Sequence, residues 1–202
     1  MMFDKSYIIS IKRNEERLRE TMTHLNDEGI IPEIYHGLDG EITGIETKYL
    51  YEVDHPGTGF SIGSKVTNLY LSHFTLWKAC LYSNGDTFLI MEDDVRYKPG
   101  WREHVDQAVR SMDKDWGMLF VGSCCCENRH KKKIKGRLHE IKYAVCAHSY
   151  AVTRKALEYM TNKMDKFWCP VDMAFVFYAI PFLKTYAILP RVADQFNTEL
   201  AP

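Results

Sequence analysis

The sequence predicts one three-layer α/β domain with a mostly parallel central sheet. Short apolar segments alternate with amphipathic segments, as in strands joined by helices that cover both faces of a sheet. Residues 87–91, Thr-Phe-Leu-Ile-Met, are nearly all apolar, as in a strand buried on both faces. The chain has 202 residues, the usual size of one domain, so we expect residues 1–202 to form a single domain.

The first elements follow from local patterns. Residues 6–11 are rich in β-branched side chains and predict a buried strand. Residues 13–28 predict a helix, because apolar side chains recur there at helical spacing and Gly29 follows as a stop. Residues 32–38 predict a second strand, and residues 41–60, which are rich in Gly and Pro, predict a loop.

A long helix is expected over residues 63–82, with one apolar face. That face carries Leu69, His73, Leu76, Trp77 and Cys80. Further on, Pro99 and Thr153 are typical of helix starts. The remaining elements are strands at 87–91, 116–122, 143–152 and 185–189, helices at 99–112, at 154–164 and from Pro170, and a basic loop at 123–139.

Composition excludes several classes of function. Lys and Arg total 26 against 27 Asp and Glu, a net charge of −1, so no overall charge attracts nucleic acid or an anionic membrane. The most apolar stretch, 173–183, is far shorter than the roughly 20 residues that a membrane span needs. The N-terminus has no long apolar segment typical of a secretory signal. We therefore expect a soluble, cytoplasmic protein with at most peripheral membrane contact.

The cysteines suggest a reduced protein. Their spacing resembles neither a zinc site nor a redox motif. We expect free thiols, as in most cytosolic proteins. The six cysteines are Cys80, Cys124, Cys125, Cys126, Cys146 and Cys169.

The most informative motif is the acidic trio that follows the apolar strand at 87–91. Glu92, Asp93 and Asp94 cannot be buried unpaired, so they must face solvent or meet cations. Alternation along an extended chain puts Glu92 and Asp94 on one side and Asp93 on the other. Two carboxylates on one side favour Mg²⁺ or Mn²⁺, with open positions for a nucleotide diphosphate. A solvated acidic turn is the alternative.

Five segments in order carry a resemblance to a known family: Tyr7 to Arg17 (YIISIKRNEER), Leu71 to Trp77 (LSHFTLW), Phe88 to Val95 (FLIMEDDV), Ala147 to Ala156 (AHSYAVTRKA) and Pro170 to Asp172 (PVD). In this order they resemble glycosyltransferase family 25, and the resemblance covers about residues 6 to 172. This family contains bacterial lipooligosaccharide galactosyltransferases and procollagen galactosyltransferases.

The resemblance implies a GT-A-type fold and a metal-dependent transfer of a hexose from a UDP-sugar, with galactose as the first candidate. It implies inversion at the sugar and a glycan or hydroxylated protein as the acceptor, with no role for nucleic acid. Glu92 and Asp94 are then the candidate ligands of Mn²⁺ or Mg²⁺. Asp172 is the first candidate for the general base, and Asp93 is the second.

The donor would be bound by residues from several of these segments. Arg13 and Arg17 lie at the start of a helix, where cations and amide N–H groups favour phosphate. The other candidates are Ser72, His73 and His148. His73, on the apolar face, and His148, in mid-strand, also fit structural roles.

The chain departs from the family pattern in two places. Residues 66–69, Val-Thr-Asn-Leu, replace a Glu-Ile-Gly-Cys-like run, and no His follows Asp172 to complete a metal shell. The basic run 130–137 is compatible with an acidic glycan, a lipid head group or plain solvation. A non-catalytic binding or adhesion module remains an alternative. A nucleotidyltransferase is disfavoured, because no Gly-rich loop follows the first strand.

Overall fold

The computed structural model describes residues 2–39, 64–124, 131–165, 167 and 169–196. The predicted loop at 41–60 lies outside the described residues. The strands are β1 (Lys5–Ser10), β2 (Glu33–His36), β3 (Thr87–Glu92), β4 (Val95–Tyr97), β5 (Met118–Cys124), β6 (Lys131–Lys135), β7 (Leu138–Ile141), β8 (Val145–Thr153), β9 (Thr185–Ile188) and β10 (Ala193–Gln195). The helices are α1 (Glu15–Asp27), α2 (Ser64–Tyr82), α3 (Trp101–Ser111), α4 (Arg154–Lys163) and α5 (Val171–Ala174). A 3₁₀ turn, Lys12–Asn14, precedes α1, and a π-helical turn, Phe175–Ala179, continues α5.

The predicted α/β architecture is confirmed, with an eight-stranded sheet at its centre. The strand order is β2-β1-β3-β8-β5-β9-β7-β6. The sheet is mixed: β2, β1 and β3 run parallel, as do β5 and β9, whereas β8 pairs antiparallel with both β3 and β5. The parallel strands β1, β2 and β3 therefore end at the same edge of the sheet.

Helices cover both faces of the sheet and make three layers. Along β3, Phe88 and Ile90 pack with α2 and α4 on one face. Leu89 and Met91 pack with α1 and α3 on the other. Burying each large apolar side chain contributes about 1.5–3 kcal/mol, so β3 is fixed in the core and the residues after it are fixed at the sheet edge.

Helix α2 has 19 residues, and its C-terminal end is held by an arginine from α4. Arg154 donates to the carbonyl oxygens of Leu81, Ser83 and Gly85 at 2.6–2.8 Å. The predicted apolar face of α2 is confirmed except at Leu69, which is 38% exposed. Among the described helices, none combines the length and apolar character that crossing a bilayer requires.

The predicted loop at 123–139 is wrong over its second half, where β6 and β7 form a hairpin that turns at Gly136. All five side chains of β6 are exposed and four are Lys, so the strand has no apolar pattern. Lysines on an edge strand of this kind discourage pairing with another chain. No local pattern predicts the small antiparallel sheet of β4 and β10.

The expectation of reduced thiols is wrong for one pair of cysteines. Cys124 at the end of β5 and Cys146 near the start of β8 form a disulfide. These strands are neighbours in the sheet, so the pairing depends on a contact between residues far apart in the chain. Cys80 and Cys169 are free and buried, as expected, and burial raises the pKa of each thiol to about 12.

Candidate active site

A cleft of about 280 Å³ lies where β1, β2 and β3 end. The register explains its position, because Ser10 pairs with His36 and Ile9 pairs with Glu92, so the three strands end at the same level. Ligands of open α/β sheets bind at this edge. The cleft is lined by Ile9, Ser10, Ile11, Arg13, Asn14, Arg17, Leu38, Asp39, Lys65, Asn68, Leu69, Ser72, Glu92, Asp93 and Asp94.

The three acids of the trio have different surroundings, and Asp93 is the one that accepts hydrogen bonds from three other side chains. Strand β3 ends at Glu92, so the alternation of an extended strand does not continue through Asp93 and Asp94. Asp93 is buried and accepts hydrogen bonds from Ser10 Oγ at 2.6 Å, Asn14 Nδ2 at 3.4 Å and the guanidinium of Arg17. Its carboxylate therefore fixes the start of α1 against the sheet.

Asp94 has a carboxylate oxygen that is open to a cation or a proton. Its side chain is 17% exposed, its Oδ1 is buried with no hydrogen-bond partner among the described residues, and its Oδ2 accepts from Gln195 Nε2 at 3.4 Å. Burial, and then the neighbouring charge of Glu92, raises the pKa of Asp94 to about 6. A buried carboxylate with an unpaired oxygen is costly unless a cation or a proton joins it.

Glu92 is oriented by a buried chain of hydrogen bonds. Trp77 Nε1 can only donate, and it donates to the Tyr150 hydroxyl at 2.7 Å. The Tyr150 proton then points to His73 Nδ1 at 2.9 Å, which leaves the proton on His73 Nε2 for Glu92 Oε1 at 3.2 Å. Each donor in this hydrogen-bonded series therefore faces an acceptor.

Cationic side chains surround the acids at the cleft. Arg17 pairs with Asp93, and its Nη1 lies 4.0 Å from Asp94 Oδ2. Arg13 Nε lies 3.4 Å from Asp39 Oδ2, and the exposed Lys65 lines the cleft from the first turn of α2. Carboxylates, which can ligate a divalent cation, and cationic side chains, which can bind an anion, therefore line the same cleft.

Three of the five predicted donor-binding residues line this cleft, namely Arg13, Arg17 and Ser72. Ser72 Oγ accepts from Leu38 N at 2.8 Å and donates to Asn68 O at 2.6 Å, so it fixes the backbone after β2. His73 is fully buried behind Glu92 rather than in the cleft wall.

His148 and Asp172 lie outside the lining of the cleft. His148 is buried, and its Nε2 lies 3.3 Å from Ala193 O. The half-buried Asp172 accepts from Cys146 N at 3.0 Å and from Met173 N at 2.8 Å. Asp172 is therefore held at the start of α5 by two backbone amides.

Several residues at the site escaped the sequence analysis. Asp39 follows the second strand, a position where ligand-binding residues are common, so that signal was available. Asn68 lies in the segment 66–69 that departs from the family pattern, and Lys65 directly precedes that segment. Nothing local marks Gln195, which reaches Asp94 only through the pairing of β10 with β4.

Comparison with a solved structure indicates the class of protein to which this fold belongs. The structure superposes on the crystal structure of a glycosyltransferase involved in the glycosylation of the major capsid of PBCV-1, with a TM-score of 0.50 and 12% sequence identity, over 91% of this chain and 79% of that chain. The chain thus has the α/β fold of a glycosyltransferase. The sequence model of glycosyltransferase family 25, described as LPS biosynthesis protein, matches residues 3–175, and the chain belongs to this family.

Individual relatives are distant. Procollagen galactosyltransferase 1 of Danio rerio is 23% identical over 185 residues, which are 85% of this chain and 31% of the relative. Inactive glycosyltransferase 25 family member 3 of Mus musculus is 21% identical over 131 residues, or 60% of this chain and 22% of the relative. The chain spans about a third or less of these relatives' lengths. The predicted family membership is confirmed.

Proposed function

We propose that this protein is a divalent-cation-dependent glycosyltransferase that moves a hexose from a UDP-sugar to a hydroxyl group, with inversion at the sugar. Family membership and the name of the Danio rerio relative support galactose as that hexose. The single observation that carries the proposal is the buried Oδ1 of Asp94, which has no hydrogen-bond partner in the part of the chain that the structure describes and lies beside Glu92 in a cleft that cationic side chains also line.

The residues present fit a hard divalent cation such as Mn²⁺ or Mg²⁺. Glu92 and Asp94 would hold it, since carboxylate oxygens are the ligands that these ions prefer. When bound, the ion supplies Lewis-acid stabilisation of the negative charge on the UDP leaving group. The buried His73 donates to Glu92 Oε1 and so orients this carboxylate for a cation.

The protein's own cations would hold the rest of the donor. Arg17 is fixed by Asp93, so its guanidinium can bind a diphosphate at little further cost in side-chain conformational entropy. Arg13 and Lys65 face the same cleft. Ser72 fixes the backbone at Leu38, and Asn68 lies beside it, so these residues shape the wall that the nucleoside or sugar contacts.

A general base must take the proton of the acceptor hydroxyl, and Asp172 is our first candidate. Each of its carboxylate oxygens accepts one backbone N–H and keeps a second lone pair for a proton. Asp93 is a weaker candidate, because three side-chain donors already occupy its carboxylate. A glycan and a hydroxylated protein both present the hydroxyl that this reaction needs.

The experiment that tests the proposal is a UDP-release assay with Mn²⁺ across a panel of UDP-sugars. We expect release with wild type, most strongly with UDP-galactose, and loss of at least a hundredfold with Asp94→Asn. Asp106→Asn, an exposed acid on α3, is the matched control and should retain full activity. Equal activity in Asp94→Asn and wild type would remove the metal role of the trio.

A second candidate function is a non-catalytic module that binds a nucleotide sugar or glycan. It is favoured by the existence of a relative named as inactive. The discriminating measurement is calorimetric titration of UDP with Mn²⁺ beside the release assay. Binding of UDP that depends on Asp94, with no release from any UDP-sugar, would favour the module.

A further inference from the structure

A second cluster of potential metal ligands lies outside the lining of the acidic cleft. Cys124 ends β5, while Cys146 and His148 stand two positions apart on β8, the strand beside it. One ligand atom from each of the three residues lies within 4.8 Å of the others. The two cysteines are half-buried and form a disulfide, and His148 is 1% exposed.

The imidazole of His148 is prepared as a ligand. Its Nε2 lies 3.3 Å from the carbonyl oxygen of Ala193, which can only accept, so Nε2 carries the ring proton. The lone pair is then on Nδ1, which is buried and has no hydrogen-bond partner among the described residues. A histidine that donates one ring N–H to a backbone carbonyl and keeps its other nitrogen free is arranged as metal-binding histidines usually are.

The surrounding backbone holds this arrangement in place. A Cβ added to Gly122 would overlap His148 Nε2 and lie 2.7 Å from Ala193 O, so only glycine admits the ring there. Cys146 has a φ of 67°, in the left-handed region that is strained for a residue with a side chain. Its N–H bonds to Asp172 Oδ2 at 3.0 Å, which helps to hold this conformation.

We propose that the reduced protein binds one Zn²⁺ ion through the thiolates of Cys124 and Cys146 and the Nδ1 of His148. Two thiolates and an imidazole suit a borderline-soft ion, unlike the carboxylates of the acidic cleft. With three protein ligands, a fourth position stays open for water or an exogenous ligand.

The disulfide is the oxidised, metal-free form of this site. A dithiol reductant opens it by exchange: the two cysteine sulfurs take up two electrons and two protons, and the reductant becomes a disulfide. Each thiol then releases its proton when it binds the ion. Metal binding at this site therefore depends on the redox state of the protein.

The test uses the 202-residue chain with Co²⁺ as a spectroscopic substitute for Zn²⁺. After reduction with a phosphine that does not bind the metal, we expect one equivalent of Co²⁺ to give thiolate-to-cobalt charge-transfer absorption that excess Zn²⁺ abolishes. The oxidised protein should give none. Cys146→Ser and His148→Asn should each weaken binding at least tenfold, whereas Cys80→Ser, at a buried free thiol, should leave it unchanged.

Two further measurements keep the proposal falsifiable if a variant does not fold. In reduced wild type, Zn²⁺ should protect Cys124 and Cys146 from alkylation, as located by peptide mass spectrometry. The double variant Cys125→Ser/Cys126→Ser should keep the absorption. The proposal is overturned if no charge-transfer band appears, if Cys124 and Cys146 stay unprotected, or if the double variant loses the band. Asp94→Asn should retain the band, so this test is separate from that of the glycosyltransferase.

Discussion

His73 Nε2 lies 3.2 Å from Glu92 Oε1 and joins the core of the sheet to the floor of the cleft. The imidazole is fully buried and is itself fixed by the Tyr150 hydroxyl. The position of His73 on the apolar face of α2 suggested a structural role. In the structure, His73 is in direct contact with Glu92, a proposed metal ligand. The contact sets the orientation of Glu92 before any ligand enters.

Replacing His73 with Phe should weaken Mn²⁺ binding. The ring volume is kept, but Glu92 loses the donor that orients it, and losses of this kind typically lower metal affinity by about 10- to 100-fold. Titration of Mn²⁺ by electron paramagnetic resonance measures the change. Tyr150→Phe is the comparison variant: it keeps the imidazole but removes the hydroxyl that fixes it, so the loss of Mn²⁺ affinity should be smaller than in His73→Phe. It should also lower stability, by about 1–3 kcal/mol, because Trp77 Nε1 loses its acceptor. Unchanged Mn²⁺ affinity in His73→Phe would contradict the positioning role.

Asp93→Asn should destabilise the fold. The charge that holds Arg17 and accepts from Ser10 is removed, and hydrogen bonds to charged groups contribute about 1.5–3 kcal/mol each. Because Arg17 is 39% exposed, we expect a total loss near the lower end of that range. Urea unfolding measures it, with Arg19→Gln on the exposed face of α1 as the control. Native-like stability with abolished turnover would instead make Asp93 the proton acceptor.

Asp94 should make stability depend on pH in the absence of metal. Its pKa is about 6 in the folded chain against 3.8 for the free group. Between these values the folded state binds more protons than the unfolded state, so this group's stabilising contribution is complete below about pH 4 and is lost as the pH rises through 6. The total is on the order of 3 kcal/mol, since one pKa unit corresponds to about 1.4 kcal/mol.

Urea unfolding of wild type and Asp94→Asn in chelator, at several pH values, tests this prediction. The wild type should lose stability relative to the variant as the pH rises through this window. Asp106→Asn, at an exposed site, should follow wild type. Parallel profiles for wild type and Asp94→Asn would show that Asp94 titrates normally.

Arg154→Met should lower stability without touching the cleft. The guanidinium donates to three backbone carbonyls in the last turn of α2 and directly after it, and its loss leaves them without that donor. Charge-assisted hydrogen bonds of this kind suggest a loss of about 1.5–3 kcal/mol. Thermal unfolding measures it, and Lys155→Met, exposed on the same helix, is the control. A loss no greater than that of the control would mean that water replaces the arginine.

Local pattern was sufficient for most of the fold. Strand β3 could be predicted because both of its faces are apolar. The start of α4 could be predicted because Thr153 is a typical N-cap residue, and in the structure it accepts a hydrogen bond from Ala156 N. Strand β6 was not readable, because its exposed Lys side chains carry no burial signal. The pairing of Cys124 with Cys146 was missed because it depends on strand order rather than on spacing.

The sequence by itself determined the α/β class, the family and the placement of three acids after a buried strand. Only the tertiary structure decided how those acids differ. Asp93 is hydrogen-bonded to α1, Glu92 contacts His73, and Asp94 has one oxygen with no partner among the residues described. The physical reason is that secondary structure follows from side chains close together in the chain. The state of a carboxylate depends instead on the donors, charges and exclusion of water that distant segments bring to it.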